Sequence, residues 1–332
     1  MNLGHPKYIS FLFTLFFLCL SIDSFSQQQK FDSLKGLLKT TTAPKERATL
    51  LVDIAKSIYY SIPDSSIGYC EEAEALSKKH NLEVQLAYSL HCECRYLLLK
   101  GDIKATIEKL NAAITIFEKQ KELKGLAKAY SLKSIALGRL AKKAEELDYL
   151  IKAKNIHISL NDTIGLSNVL PNLANAYNDL GQYQNALNTL EEHQKLNIPK
   201  TSHEFYIEIN YGLIYFNQHK IAEALAHYEK AVAIAHQYKM LDSEITGITH
   251  IAECYQSLNN LEKAQIYYQS ALTLATENQL LVEEKDALKG IVDLYEKEKN
   301  YHSAYFTLKR LKLIEDSLLN IEKIKSINDI EH

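Results

Sequence analysis

Residues 171–190 read PNLANAYNDLGQYQNALNTL, and the fold is decided in that stretch. Leu173, Ala174 and Tyr177 stand at spacings that put them on one helical face, and Tyr183, Ala186 and Leu190 do the same on a second face. Gly181 and Gln182 lie between the two runs. Two apolar faces joined by a glycine turn predict an antiparallel helix pair. The arrangement returns with Gly212, Tyr215, Ala224, Tyr228 and Ala231, and again with Ala252, Tyr255, Ala264, Tyr268 and Ala271.

Working outward, one small-residue slot recurs along most of the chain, at Ala73, Ala113, Ala153, His193, Ala231, Ala271 and Leu311, at intervals of 40, 40, 40, 38, 40 and 40 residues. A period of this size marks stacked supersecondary units that bury their apolar faces only against one another. The 332 residues therefore read as one quasi-one-dimensional body, counted as a single domain. Only 11 glycines and 5 prolines interrupt it, and after Pro63 the prolines are Pro171 and Pro199, so an all-α chain is expected.

A small residue followed three later by tyrosine, then a turn, an alanine, an aromatic or leucine four later and an alanine three after that resembles the tetratricopeptide repeat. The resemblance spans about residues 47–315 and is most specific in the three units above. It implies a right-handed α-solenoid of about seven antiparallel helix pairs with a C-terminal capping helix. The small residues let paired helices approach, and most of the 21 tyrosines fall in packing slots between pairs. The period departs from the usual length of about 34 residues, which adds a turn to each helix or lengthens the links. Ser66, Thr106 and Glu146 replace the later Ala186 and Ala224, His193 replaces an alanine, and Pro171 is expected to kink its helix or mark its start.

The ends differ in character. Residues 1–26 carry Lys7, the apolar run YISFLFTLFFLCLSI and then Ser24, Phe25 and Ser26, the pattern of a secretory leader cleaved after Ser26; the run is short for a membrane span. Bulky Leu18 before Cys19 argues against a lipid-modified amino terminus. Residues 27–46 read as an N-terminal helix or cap and 316–332 as a terminal helix. The mature chain is expected in the periplasm, where disulfides are permitted among Cys70, Cys92, Cys94 and Cys254. Cys70 and Cys94 occupy core slots and read as buried free thiols, while Cys92 and Cys94 point to different sides of a helix.

For function, the first helices of the pairs are expected to line a concave groove. Counting around them places Tyr88, His91 and Arg95, then Lys128 and Arg139, then Asn168, Asn175, Asn178 and Asp179, then Tyr206 and Asn217, then Glu253 and Gln256 on that face. The asparagine amides can both donate and accept, which suits the backbone of an extended peptide. A protein or peptide is the expected partner. The balance of 38 basic against 41 acidic residues supplies no field for nucleic acid or an anionic membrane. His91 and Cys94 stand at a metal-ligand spacing, but Cys94 fills a packed slot and no second ligand pair accompanies them, so neither metal nor cofactor is expected. No glycine-rich phosphate loop or nucleophile elbow is present, and no catalytic residue is assigned.

The chain closes on KLIEDSLLNIEKIKSINDIEH, with Leu318, Ile321, Ile324, Ile327 and Ile330 three apart. Strict threes drift around a helix, so this stripe is no coiled-coil seam and suits a cap. An exported array ending this way is also similar to the sensor portions of Bacteroidetes signalling proteins, whose helix leads on to a histidine kinase or DNA-binding output. Three readings follow: a non-catalytic scaffold, a sensory input domain whose output part is separate or missing, and a ligand-binding or hydrolytic helical domain.

Overall fold

A computed structural model describes residues 29–328, apart from 60, 197, 199, 200 and 202, and the backbone alone over 320–328. The leader, Cys19, Pro199 and the side chains of the terminal isoleucines lie outside the described residues. Among the described residues the chain is all-α, with fifteen helices and no strand. These are α1 (29–40), α2 (Pro44–Ile58), α3 (Pro63–Lys79), α4 (Glu83–Leu99), α5 (Ile103–Gln120), α6 (Leu123–Arg139), α7 (Lys143–Ser159) and α8 (Thr163–Asp179). They continue as α9 (Tyr183–Gln194), α10 (Glu204–Asn217), α11 (Ile221–Gln237), α12 (Leu241–Ser257), α13 (Leu261–Glu277), α14 (Leu281–Lys297) and α15 (Tyr301–Asn328).

The links explain the period. A residue with positive φ stands at 81, 101, 121, 141, 161 and 181, then at 219, 239, 259, 279 and 299. Each belongs to a left-handed C-terminal cap, closed by bonds such as Leu82 N–H to Ser77 O, Lys142 N–H to Leu137 O and Leu280 N–H to Ala275 O. The half-repeat is thus a helix of 17 residues, as in α3, α4, α6 and α12, with a three-residue link. The length beyond the usual repeat lies in the helices. The one interval of 38 falls between Gly181 and His219, where α9 has 12 residues and α10 has 14.

The helices form two compact units, one ending at Val169 and the other beginning at Leu170, within α8. In the first, α2/α3, α4/α5 and α6/α7 are antiparallel pairs, and the first helices α2, α4 and α6 touch in series. Leu51, Val52, Ala55, Ala73 and Cys92 make one core cluster; Leu90, Cys94, Leu110, Ala113 and Phe117 belong to the next. In the second unit α10/α11, α12/α13 and α14/α15 pair, and α10, α12 and α14 touch in series. Within each unit the packing is that of a helical solenoid. The marker residues Ala73, Ala113, Ala153, Ala231 and Ala271 are wholly buried, with His193 and Leu311 nearly so.

The irregular slots have local explanations. Ser66 donates its hydroxyl to Ala55 O at 3.0 Å and Thr106 to Asp102 O at 2.7 Å, so both fit buried. Glu146 replaces an alanine because Gly138 opposite it has no side chain: a Cβ there would lie 2.8 Å from Glu146 Oε1. Lys143 Nζ lies 3.5 Å from the other carboxylate oxygen. Helix α8 runs through Pro171, which therefore does not mark its start, and Asn210 donates to Pro171 O at 3.1 Å.

Cys70 corrects the expectation of a free thiol. It is bridged to Cys92 across α3 and α4, with the Cα atoms 5.9 Å apart, while Cys94 and Cys254 are free and buried. Two residues along a helix turn through roughly 200°, so Cys92 meets α3 where Cys94 turns to α5 and donates to Thr106 O at 3.5 Å. At the far end α15 extends for 28 residues through the expected boundary at 316. Among the described residues no helix is long and apolar enough to cross a membrane.

Candidate functional site

One depression lies in the second unit, a cavity of about 670 Å³ between α12 and α14. The repeat builds it by pairing residues 40 apart: Thr246 with Asp286, Thr249 with Lys289, His250 with Gly290, Glu253 with Asp293 and Ser257 with Lys297 all line it. The decisive pair is His250 with Gly290. Tyr228 of α11 stacks on the His250 ring at 4.9 Å between centroids. One unit later Tyr268 of α13 meets Gly290 instead, so closely that a Cβ at 290 would enter the tyrosine ring. Both rings are equally buried, the second closed over by Gly290 itself, and with no side chain at 290 to match His250 the cavity opens beside that contact.

Its polar groups are oriented. Tyr268 donates its hydroxyl to Gln256 Oε1 at 2.7 Å, Lys297 Nζ donates to Gln256 O at 2.7 Å, and His250 Nδ1 lies 2.8 Å from Glu253 Oε2. Burial, with the nearby Glu253 and Asp293 carboxylates, raises the Tyr268 pKa, so this phenol stays a donor at any working pH. The lining carries the acids Glu253, Glu283, Asp286 and Asp293 against Lys289 and Lys297. With two basic chains against four acidic ones, the rim favours a cationic group.

A smaller cavity of about 280 Å³ lies in the first unit, lined by Ala48, Thr49, Val52, Asp53 and Lys56 of α2, Gln85 and Tyr88 of α4, and Lys128 of α6. Tyr88 packs edge-on against Phe117 at 5.0 Å and donates to Glu122 Oε1 at 2.9 Å. Lys56 Nζ lies 3.0 Å from Asp53 Oδ1 and 5.9 Å from the Tyr88 ring centroid.

The residues expected on the groove divide accordingly. Glu253 and Gln256 come together in the larger cavity, Tyr88 and Lys128 in the smaller. His91 and Asn178 are buried, and the Asn178 amide oxygen already accepts from Asn217 Nδ2 at 3.1 Å, so neither meets a ligand directly. Burial, then the Arg95, Lys56 and Lys128 charges, push the His91 pKa down to about 3, and the ring is neutral. Arg95 stacks over the Tyr59 ring at 4.3 Å, and Arg139 donates to Leu98 O. Tyr206 is exposed beside Phe205, Asn175 is half-buried, and Asn168 and Asp179 are exposed. Neither these six nor Asn217 lines either cavity. Sequence reasoning missed Asp286, Lys289, Asp293 and Lys297, which the period itself marks, 40 residues beyond α12 positions. Among the described residues no cluster of three or more His, Cys, Asp or Glu side chains is arranged to hold a metal ion.

Two family models, each described as tetratricopeptide repeat, match residues 204–277 and 169–197. No curated protein sequence matches the chain. Among solved structures, it is similar to a Rap protein complexed with competence and sporulation factor, at 15% identity over 90% of this chain and 96% of that one, TM-score 0.59. It is similar to the apo quorum sensor NprR from B. thuringiensis, at 14% identity over 89% and 94%, TM-score 0.59. It also resembles a signal-transduction ATPase with numerous domains and a tetratricopeptide-repeat sensor from Pyrococcus horikoshii, at 15% identity over 90% of this chain and 46% of that one, TM-score 0.62. These likenesses establish the fold.

Proposed function

This chain is a tetratricopeptide-repeat protein, and from that premise we propose that it is an exported, non-catalytic scaffold whose α12/α14 groove binds a protein or peptide segment carrying a basic side chain. The observation that carries this reading is the cavity between α12 and α14 beside Gly290, with Glu283, Asp286 and Asp293 around it. The buried Tyr268, fixed by its hydroxyl bond to Gln256, supports the cavity from below, and the acidic rim supplies charge complementarity. The Rap protein of the same fold is complexed with a separate factor, which is in keeping with an occupant. Export rests on the leader at residues 1–26, and intact mass of the secreted chain beginning at Gln27 tests it.

Selection from a displayed random-peptide library tests the groove. The expected result is enrichment of Lys- or Arg-containing peptides whose binding is lost on the double variant Asp286→Lys, Asp293→Lys. Peptides that hold equally well to that variant would place binding elsewhere.

A sensory input role is the second reading, and α15 favours it. The helix outlasts its partner α14 and exposes Tyr305, Phe306, Leu308 and Leu313, an apolar surface suited to an output element. An adjacent or in-frame kinase gene would select this reading over a free-standing scaffold.

A further inference from the structure

We propose that α15 pairs antiparallel with α15 of a second copy of the chain, through the stripe Tyr301, Tyr305, Leu308, Lys312, Glu315 and Leu319. These six alternate four and three residues apart, the spacing that keeps one helical face against a partner helix, unlike the strict threes further along. Tyr301, Tyr305, Leu308 and Leu319 are between 47 and 68% exposed, and Lys312 and Glu315 are exposed as well. The stripe is the face on which the repeat seats its next helix. Forty residues earlier, Tyr268, Leu272 and Ala275 of α13 are buried in one cluster with Leu288 and Ile291 of α14. On α15 those three slots hold Leu308, Lys312 and Glu315. An ordinary further repeat packed there would bury two charges against an apolar helix, which is costly.

Charge selects the occupant. Turned end for end about a two-fold axis between Lys312 and Glu315, the stripe meets its own copy with Leu308 against Leu319 of the second copy and Lys312 against its Glu315, each pair made twice. Tyr301 and Tyr305 extend the apolar contact outward from both ends of this centre. Parallel pairing in register would instead set Lys312 on Lys312 and Glu315 on Glu315, like charges in both layers. Within its own helix Lys312 Nζ lies 3.2 Å from Asp316 Oδ1 and 3.9 Å from Glu315 Oε2. Those pairs face water and cost little to exchange for pairs between copies. Half-exposed side chains of this size each bury on the order of 100 Å², so four per copy, with the lysine stems, give about 1,000 Å² over both copies. That is the low end of specific interfaces, and the dimer is reversible and concentration-dependent.

Sedimentation velocity of the full chain between about 1 and 300 μM tests the pairing. The native chain should pass from monomer to dimer across that range. Lys312→Glu and Glu315→Lys should each weaken self-association at least about tenfold, because each sets like charges in both layers, while an equimolar mixture of the two should dimerise as the native chain does. Both residues are exposed, so neither variant disturbs the fold. Orientation is read by cross-linking. Leu308→Cys mixed with Leu319→Cys should form a disulfide between copies on mild oxidation, and Leu308→Cys alone should not, since antiparallel pairing holds the two 308 positions about 16 Å apart along the helices. A chain that stays monomeric throughout overturns the proposal and leaves the face to an output element. Dimers that form equally well in Lys312→Glu, or a cross-link of Leu308→Cys with itself, overturn this interface. The α12/α14 groove contributes no residue to the stripe, so peptide binding and dimerisation can fail separately.

Discussion

Glu93 Oε2 lies 2.5 Å from Lys109 Nζ, while its Oε1 is buried with no donor. The neighbouring Glu74 carboxylate, 3.5 Å from the same ammonium, shows why. Two acids on α3 and α4 share a hydrogen bond, and that bond requires a proton on one of them. Burial and the Glu74 hydrogen bond raise the Glu93 pKa against the pull of Lys109, and the Glu93 bond lowers that of Glu74. Below neutral pH the more buried Glu93 holds the proton.

The pair gives the first unit an unusual pH dependence. Glu93 has a folded pKa of about 7 against an ordinary 4.5, so the folded chain binds this proton more tightly than the unfolded one. Its contribution is full below 4.5 and is lost as pH rises to about 7. Glu74, shifted down, contributes above 4.5 and loses that as pH falls. Melting temperatures between pH 5 and 8 should therefore fall for the native chain relative to Glu93→Gln, which mimics the protonated acid. Parallel curves for the two proteins would refute the shared proton.

The left-handed caps predict a gain from a single atom's removal. Ala141 is exposed at φ 55°, where an L side chain costs roughly 1 kcal/mol. Ala141→Gly removes the side chain of an exposed residue, and should raise unfolding free energy by about 0.5–1 kcal/mol. Gly101→Ala, at φ 81°, should lose a similar amount. Urea denaturation of the two variants should move the midpoint in opposite directions.

Helical glycines separate helix propensity from packing. Gly36 in α1 has nothing within 4 Å of an added Cβ, so Gly36→Ala should stabilise by up to about 1 kcal/mol through propensity. Gly290→Ala adds the same atom inside the Tyr268 ring and should cost about 1–3 kcal/mol as the ring is displaced. It should also shrink the α12/α14 groove and weaken peptide binding there. A melting temperature for Gly290→Ala at or above that of the native chain would show that the groove floor is not close-packed.

How much was legible follows from where the information sits. Ala174, Tyr228 and Tyr268 announced helix pairs because close approach and interlayer filling leave few residue choices, and all three are buried. The left-handed residues were not legible as such: Ala141, Lys239 and Gln279 carry no turn signature, and only their spacing of 20 betrays them. The groove was half legible. Glu253 and Gln256 were placed on it, but its depth depends on Gly290, a residue conspicuous only against His250 one period earlier. His91 and Asn178 were placed on the exposed face because counting around a helix gives a direction without a depth, and the neighbouring helices close over both.

The bridge between Cys70 and Cys92 spans 22 residues and ties α3 to the first helix of the next pair. Closing a loop of that length restricts the unfolded chain, worth about 3 kcal/mol on the entropy model. Dithiothreitol should lower the melting temperature of the native chain and leave that of Cys70→Ser, Cys92→Ser unchanged. The free thiols provide the control. Burial, then Glu93, push the Cys94 pKa up to about 12, and burial, then Glu253, do the same for Cys254, so neither is a competent nucleophile for exchange near neutral pH. Alkylation of the folded, unreduced protein should therefore label neither cysteine, and after reduction should label Cys70 and Cys92 only as the first unit opens. Rapid labelling of Cys94 without reductant would show that the bridge does not hold α3 against α4.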